Sequence, residues 1–100
     1  MLLIRDIFFC KPGQVRPLVD KFKAMRKFGE GKGMGKVRIL TDLSAERYWT
    51  VVSEMEVESL EAFMAMGQGS AEDMKEMERI MAGYHDLVES GRREIYTIEA

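Results

Sequence analysis

Two spacings of apolar residues alternate along this chain, one of two residues and one near 3.6. Leu2–Phe9 is a dense apolar run interrupted by Arg5 and Asp6, the pattern of a strand buried on both faces near the middle of a sheet. Lys11-Pro12-Gly13 ends it with turn residues. Val15, Leu18, Val19, Phe22 and Met25 then recur at helical spacing, with charges around the rest of the wheel. Pro17 is tolerated only in a first turn, so this helix should begin near Gly13–Val15. Gly29–Gly35 carries glycine at every second position and reads as a mobile connection. Its spacing fits neither a dinucleotide fingerprint nor a P-loop.

The second half repeats the exchange of periods. Lys36–Thr41 alternates as a short strand, and the polar Asp42–Arg47 turn joins it in a hairpin to Tyr48–Val57. That strand is the longest stretch of aromatic and β-branched character. Trp49, Val51, Ser53, Met55 and Val57 fall on one face; Tyr48, Thr50, Val52, Glu54 and Glu56 fall on the other. Ser59 caps a short helix through Met66, stopped by Gly67 and Gly69. Ser70 caps a last helix with the stripe Met74, Met77, Met81, Tyr84 and Val88, and Gly91 is its expected stop. Arg92–Glu99 closes the chain as a strand.

The order β-α-β-β-α-α-β predicts one domain, 1–100, of the α+β class: a ferredoxin-like sandwich. Its four-stranded antiparallel sheet has the spatial order 4-1-3-2, with the helices on one face. The first strand and Tyr48–Val57 become the central pair. Trp49, Val51, Met55 and Val57 are expected to face the helices, and Thr50, Val52 and Glu54 the open side. An open, partly apolar sheet face predicts a homodimer that packs sheet on sheet.

The stretch Tyr-Trp-Thr-Val-Val-Ser-Glu-Met-Glu-Val-Glu-Ser-Leu-Glu-Ala-Phe (48–63) resembles the third strand and following helix of the dimeric α/β-barrel superfamily, in its NIPSNAP-like and antibiotic-biosynthesis-monooxygenase-like branches. The opening strand with Lys11-Pro12-Gly13 and the ending Glu-Ser-Gly-Arg-Arg-Glu-Ile-Tyr-Thr-Ile (89–98) are similar in style. The resemblance implies a dimer whose sheets enclose a barrel, often with a pocket between each sheet and its helices. Some members are cofactor-free oxygenases, some degrade haem, and many have no assigned activity. Haem-degrading members use an Asn on the first strand, a Trp and a helical His. Here Asp6 stands nearest the first role, Trp49 lies on a strand, and only His85 corresponds, which disfavours haem chemistry.

Composition narrows the partners. A formal charge of −2 argues against nucleic acid and anionic membranes, and the Arg47-Tyr-Trp-Thr-Val-Val stretch lacks the glycine and spaced aromatics of an RNA-binding strand. No apolar run reaches the roughly 20 residues that span a bilayer, and the N-terminus lacks the basic region of a signal peptide. Cys10 is the single cysteine and His85 the single histidine, so a typical zinc site has no ligand set. A cytoplasmic protein without metal or cofactor is expected.

Candidate chemistry is sparse. Nine methionines can fill a core or line an adaptable pocket, Met77 and Met81 among them. Strand charges of both signs must pair if buried. They either form salt bridges across strands or protomers, or make a polar site in which Glu54 with Arg93 binds or deprotonates an acidic or phenolic substrate. His85, about 70° from the centre of its helix's apolar stripe, could stand at a pocket edge or face water. The catalytic candidates are therefore Asp6 and His85, and the ligand contacts Trp49, Glu54, Met77, Met81 and Tyr96. Two functions follow: a dimer binding a small ligand between sheet and helices, and a cofactor-independent monooxygenase for an aromatic substrate. A barrel serving assembly alone is the third.

Overall fold

The computed structural model describes residues 1–32, 35–66 and 69–100. Its elements are β1 (Leu2–Cys10), α1 (Val15–Glu30), β2 (Val37–Thr41), β3 (Thr50–Val57), α2 (Leu60–Met66), α3 (Ala71–Met81), a single 3-10 turn (Tyr84–Asp86) and β4 (Val88–Thr97). The strands make one antiparallel sheet in the order β2-β3-β1-β4, the expected order read from its other edge. This is the α+β ferredoxin-like fold, with β1 and β3 in the centre. Both expected serine caps are present: the Ser59 hydroxyl accepts from the Ala62 N–H at 3.1 Å and Ser70 from the Asp73 N–H at 3.1 Å.

The main core lies where α1 crosses the sheet. Leu18 and Val19 sit on Cys10 and Val51, all buried, with Phe8, Phe22 and Ile39 packed around them. On the other face Ile7, Phe9 and Val52 form a second buried cluster with no helix above it. Their cover comes from charged side chains. The Arg47 guanidinium lies 4.4 Å from the centre of the Phe9 ring and that of Arg92 5.9 Å from it. Arginine can do this because its stem is apolar and its planar head stacks on aromatic faces. The face expected to be open is thus already partly roofed by its own arginines.

Three elements depart from the periodicity. β3 begins at Thr50, because Trp49 has φ 62°. That left-handed backbone takes Trp49 out of register with Val51, although the rest of the strand alternates as predicted. Gly29 is the buried last turn of α1; the expected connection over 29–35 starts inside that helix, and residues 33 and 34 lie outside the described ones, as does the expected stop at Gly67. Finally, α3 ends at Met81, ten residues before Gly91 in sequence. Gly83 turns the chain with φ 82°, and the Lys21 ammonium donates to the Ala82 carbonyl at 2.6 Å. Tyr84, Leu87 and Val88 still reach the core, so helical spacing persists across a turn that is not helical.

Gly83 has open space where a Cβ would stand, so backbone angle alone opposes substitution there. Gly83→Ala should therefore cost about 1 kcal/mol, seen as a lower urea midpoint with an unchanged slope.

Candidate functional site

Asp6 on β1 and Ser53 on β3 are paired in register and are the polar interruption of the sheet face that meets the helices. Around them Phe8, Met55, Phe22, Met25 and Met81 line a partly open apolar pocket of ≈ 160 Å³, with Val37 on its β2 side and Arg26 and Gly29 on its α1 side. Phe8 and Phe22 fix the inner wall, their rings 5.0 Å apart and tilted by 57°. Asp6 is held from the neighbouring strand: Arg93 Nε donates to its Oδ1 at 2.6 Å and Nη2 to its Oδ2 at 3.0 Å. This fork-to-fork pairing raises the Arg93 guanidinium further above its ordinary range, the Asp6 hydrogen bonds being the main cause. The Phe63 ring of α2 lies 5.0 Å from the same guanidinium. A carboxylate so oriented presents hydrogen-bond acceptors to the cavity while its charge is balanced outside it.

The opposite face carries an ionic ladder. Glu54, with a side chain only 10% exposed, lies 3.0 Å from Arg5 Nε and pairs with Arg38. The Arg5 contact is ionic without hydrogen-bond geometry, since that Nε has no acceptor along its N–H direction. Glu94 accepts from the Tyr96 phenol at 2.8 Å and from Arg92 Nε at 2.9 Å. The Tyr96 hydrogen bond first, then Arg92, lowers the Glu94 carboxyl below the usual range, and the same Tyr96 bond raises the phenol.

Pairing with Lys32 lowers Asp73, and pairing with Arg79 lowers Glu76. Carboxyls lowered by folding stabilise fully above their unfolded range, near pH 4, and lose that contribution as pH falls through the folded value. Stability should accordingly be level from pH 8 to pH 6 and fall progressively below about pH 4. Each exposed pair contributes little, so the decline in thermal midpoint should be gradual and smaller at high salt.

The cavity brings together Asp6 and Met81 from the residues singled out by sequence. Met77 is half-buried on α3 but does not line it. Glu54 and Tyr96 belong to the ionic ladder on the far side of the sheet. Trp49 stands beyond the end of β3, 43% exposed, beside a separate cleft. His85 is not on a helix, as periodicity required, but in the 3-10 turn, exposed and 4.0 Å from the Tyr84 ring centre. The proposed pair of Glu54 with Arg93 is divided by the sheet: Arg93 faces the helices with Asp6, and Glu54 faces away with Arg5. Ser53 was missed, though it carried a signal, being the one polar residue of the face Val51–Val57 and standing opposite the polar residue of β1. Among the described residues no three of His, Cys, Asp and Glu gather closely enough to hold a metal ion, and no helix is long and apolar enough to cross a membrane.

No family model and no curated protein sequence matches the chain. Solved structures do. An uncharacterised NIPSNAP domain protein from Burkholderia xenovorans superposes with a TM-score of 0.73 at 15% identity, covering 100% of this chain and 96% of the other. A NIPSNAP family protein from Agrobacterium tumefaciens gives 0.76 at 13% identity, covering 96% and 90%. A Nitrosomonas europaea protein, provisionally assigned as an antibiotic biosynthesis monooxygenase, gives 0.71 at 13% identity, covering 100% of both chains. The NIPSNAP and monooxygenase-like fold anticipated from residues 48–63 is therefore the fold of this chain. Identities of this size establish the fold and leave the chemistry to the residues.

Proposed function

We propose that this chain is a homodimeric, cytoplasmic ligand-binding protein that holds one small, mostly apolar molecule between sheet and helices. The cavity beside Asp6 carries the reading. The pocket is partly open, and its ≈ 160 Å³ is close in size to the roughly 150 Å³ that accepts a benzene ring in a buried cavity. Its walls are three methionines and two phenylalanines, which adapt to an apolar guest. Asp6 and Ser53 supply acceptors at one side and Arg26 donors at the α1 side, so a guest with a single hydroxyl, which both donates and accepts, fits better than a hydrocarbon. The volume is below the roughly 300 Å³ at which drug-sized pockets begin, which limits the guest to one ring or a short branched chain. The lone, buried Cys10 supports a reducing compartment.

The dimer rests on the other face. Leu3, Leu40 and Tyr96 surround alternating Arg and Glu rows there, and a two-fold contact lets Arg rows meet Glu rows reciprocally. Light scattering at micromolar concentration should give twice the chain mass; a monomer would remove the dimer from the reading and leave the cavity untouched. For the ligand, phenol and small alkylphenols should raise the thermal midpoint, by mass action on the folded state. Met81→Trp, which fills the cavity, should abolish that rise. Phenols that leave the midpoint of the natural chain unmoved at saturating concentration would sink the ligand reading.

Cofactor-independent oxygenation of a phenol or quinol is the second reading, favoured by the placement of Asp6 where a ring hydroxyl would reach it. Such a substrate supplies the electrons to oxygen itself, and the protein only positions and deprotonates it. Oxygen uptake with a hydroquinone panel should then fall by roughly 100-fold or more in Asp6→Asn and stay unchanged in His85→Ala. No uptake by the natural chain would exclude this reading alone.

A further inference from the structure

At the other end of α1, a helix roughly 24 Å long, a second cleft of ≈ 490 Å³ opens between the first turn of α1 and the β2–β3 hairpin, lined by Arg16, Thr41, Asp42, Tyr48 and Trp49. The sequence pattern puts Trp49 beside Val51, under the helices. The fold instead holds it at φ 62°, a conformation unfavourable for a bulky residue, and several hydrogen bonds secure it. The Trp49 carbonyl accepts from the Cys10 N–H at 2.8 Å. The next residue donates its N–H to Asp42 Oδ1 at 2.8 Å and its hydroxyl to the Arg47 carbonyl at 2.8 Å. The outcome is that Trp49 is 43% exposed and Tyr48 86% exposed, both lining the cleft. A large apolar side chain turned outward by a strained backbone is the informative kind of exposure.

The polar groups around this platform are mixed. Arg16 pairs with no carboxylate among the described residues and offers only donors. Asp42, with Oδ1 engaged by Thr50, keeps its second oxygen as an acceptor, and Thr41 adds a hydroxyl that does both. An anionic guest would meet the Asp42 charge and a cationic guest the Arg16 charge. A neutral ring bearing several hydroxyls meets neither penalty, since each hydroxyl both donates and accepts, and its C–H face can rest on the indole.

We propose that this cleft is a second binding site, distinct from the cavity at Asp6, that takes a neutral polyhydroxylated ring of the pyranoside class stacked on Trp49. The cleft is open on one side, so the ring stays partly hydrated and binding is weak. It does not depend on the reading given to the cavity.

Trp49 is the single tryptophan, so its fluorescence reports on this cleft directly, and pyranosides do not absorb in the near ultraviolet. The protein is titrated with methyl β-D-glucopyranoside, methyl α-D-mannopyranoside and methyl β-D-galactopyranoside, with glycerol as the solvent control. The expected result is a saturable blue shift for at least one pyranoside, weakened severalfold in Arg16→Ala and in Tyr48→Ala. Both variants keep the reporter, and circular dichroism checks their fold. A non-saturating change equal to that of glycerol for all three sugars overturns the proposal. So does saturation by sodium benzoate in place of the sugars, which would mark an anion site. A spectrum that moves with protein concentration would make the aromatic pair a contact between copies, and overturns it equally.

Discussion

Leu18→Ala should remove about 3 kcal/mol of stability, a large part of the roughly 5–15 kcal/mol available to a domain of this size. Leu18 is 0% exposed and lies between α1 and the two central strands, against Cys10 and Val51. Truncation loses its transfer free energy and leaves a void that Val51, itself 0% exposed, cannot fill from a central strand. A drop of this size corresponds to roughly 12 °C or more in thermal midpoint. Calorimetry checks it, with Leu18→Met as the control that conserves volume and should cost under about 1.5 kcal/mol. A Leu18→Ala midpoint within a few degrees of the natural chain would mean that the core is not centred where α1 crosses the sheet.

Gly91→Val should be at least as damaging, for a different reason. A Cβ at Gly91 would stand 2.7 Å from the Ile7 carbonyl oxygen, an approach that side chains do not make. That oxygen is backbone of β1, so it cannot swing aside as a side chain would. Gly91 is paired with Phe8, close to the register shift between Phe9 and Cys10. Relief requires β4 to pull away from the central strand. We expect a cost of about 3 kcal/mol, at the upper end for overpacking, accompanied by faster amide exchange on β1 and β4 than on β2. Gly91→Ala meets the same clash with less bulk and should fall between the two. Equal protection on all four strands in the valine variant would show that the ladder absorbs the Cβ without separating.

Gly91 also shows what a sequence conceals. As residue type it reads as a helix stop, and periodicity through Tyr84 and Val88 agrees; the contact that requires a glycine there comes from a strand more than eighty positions away. Gly83, which does end the helix region, held the local signal, but the apolar spacing runs on past it because the turn returns Tyr84 and Leu87 to the same core. The sheet, by contrast, was legible except for the first four residues of β4, Val88 to Gly91, which read as the end of the last helix. The dense apolar run of β1, the two-residue alternation of β3 and the order of elements determine which strands can be central, and the serine caps mark two of the three helices. The site was legible in part. Alternation gives Ser53 its face within β3, yet Asp6 joins that face only once β1 is paired with β3, and Arg93 only once β4 is paired with β1. Sequence placed Glu54 with Arg93 because both are strand charges of opposite sign; parity within the paired strands assigns them to opposite faces. Trp49 was illegible, since a left-handed tryptophan is costly and no local residue announces it.

The arginines over Phe9 have a consequence for the timing of any encounter on that side of the sheet. Arg47 and Arg92 must swing off the ring before another surface can reach Ile7, Phe9 and Val52, so docking there is a gated process. Its rate should rise with temperature more steeply than diffusion does, while brief collisions between crowded chains meet a charged lid and part again.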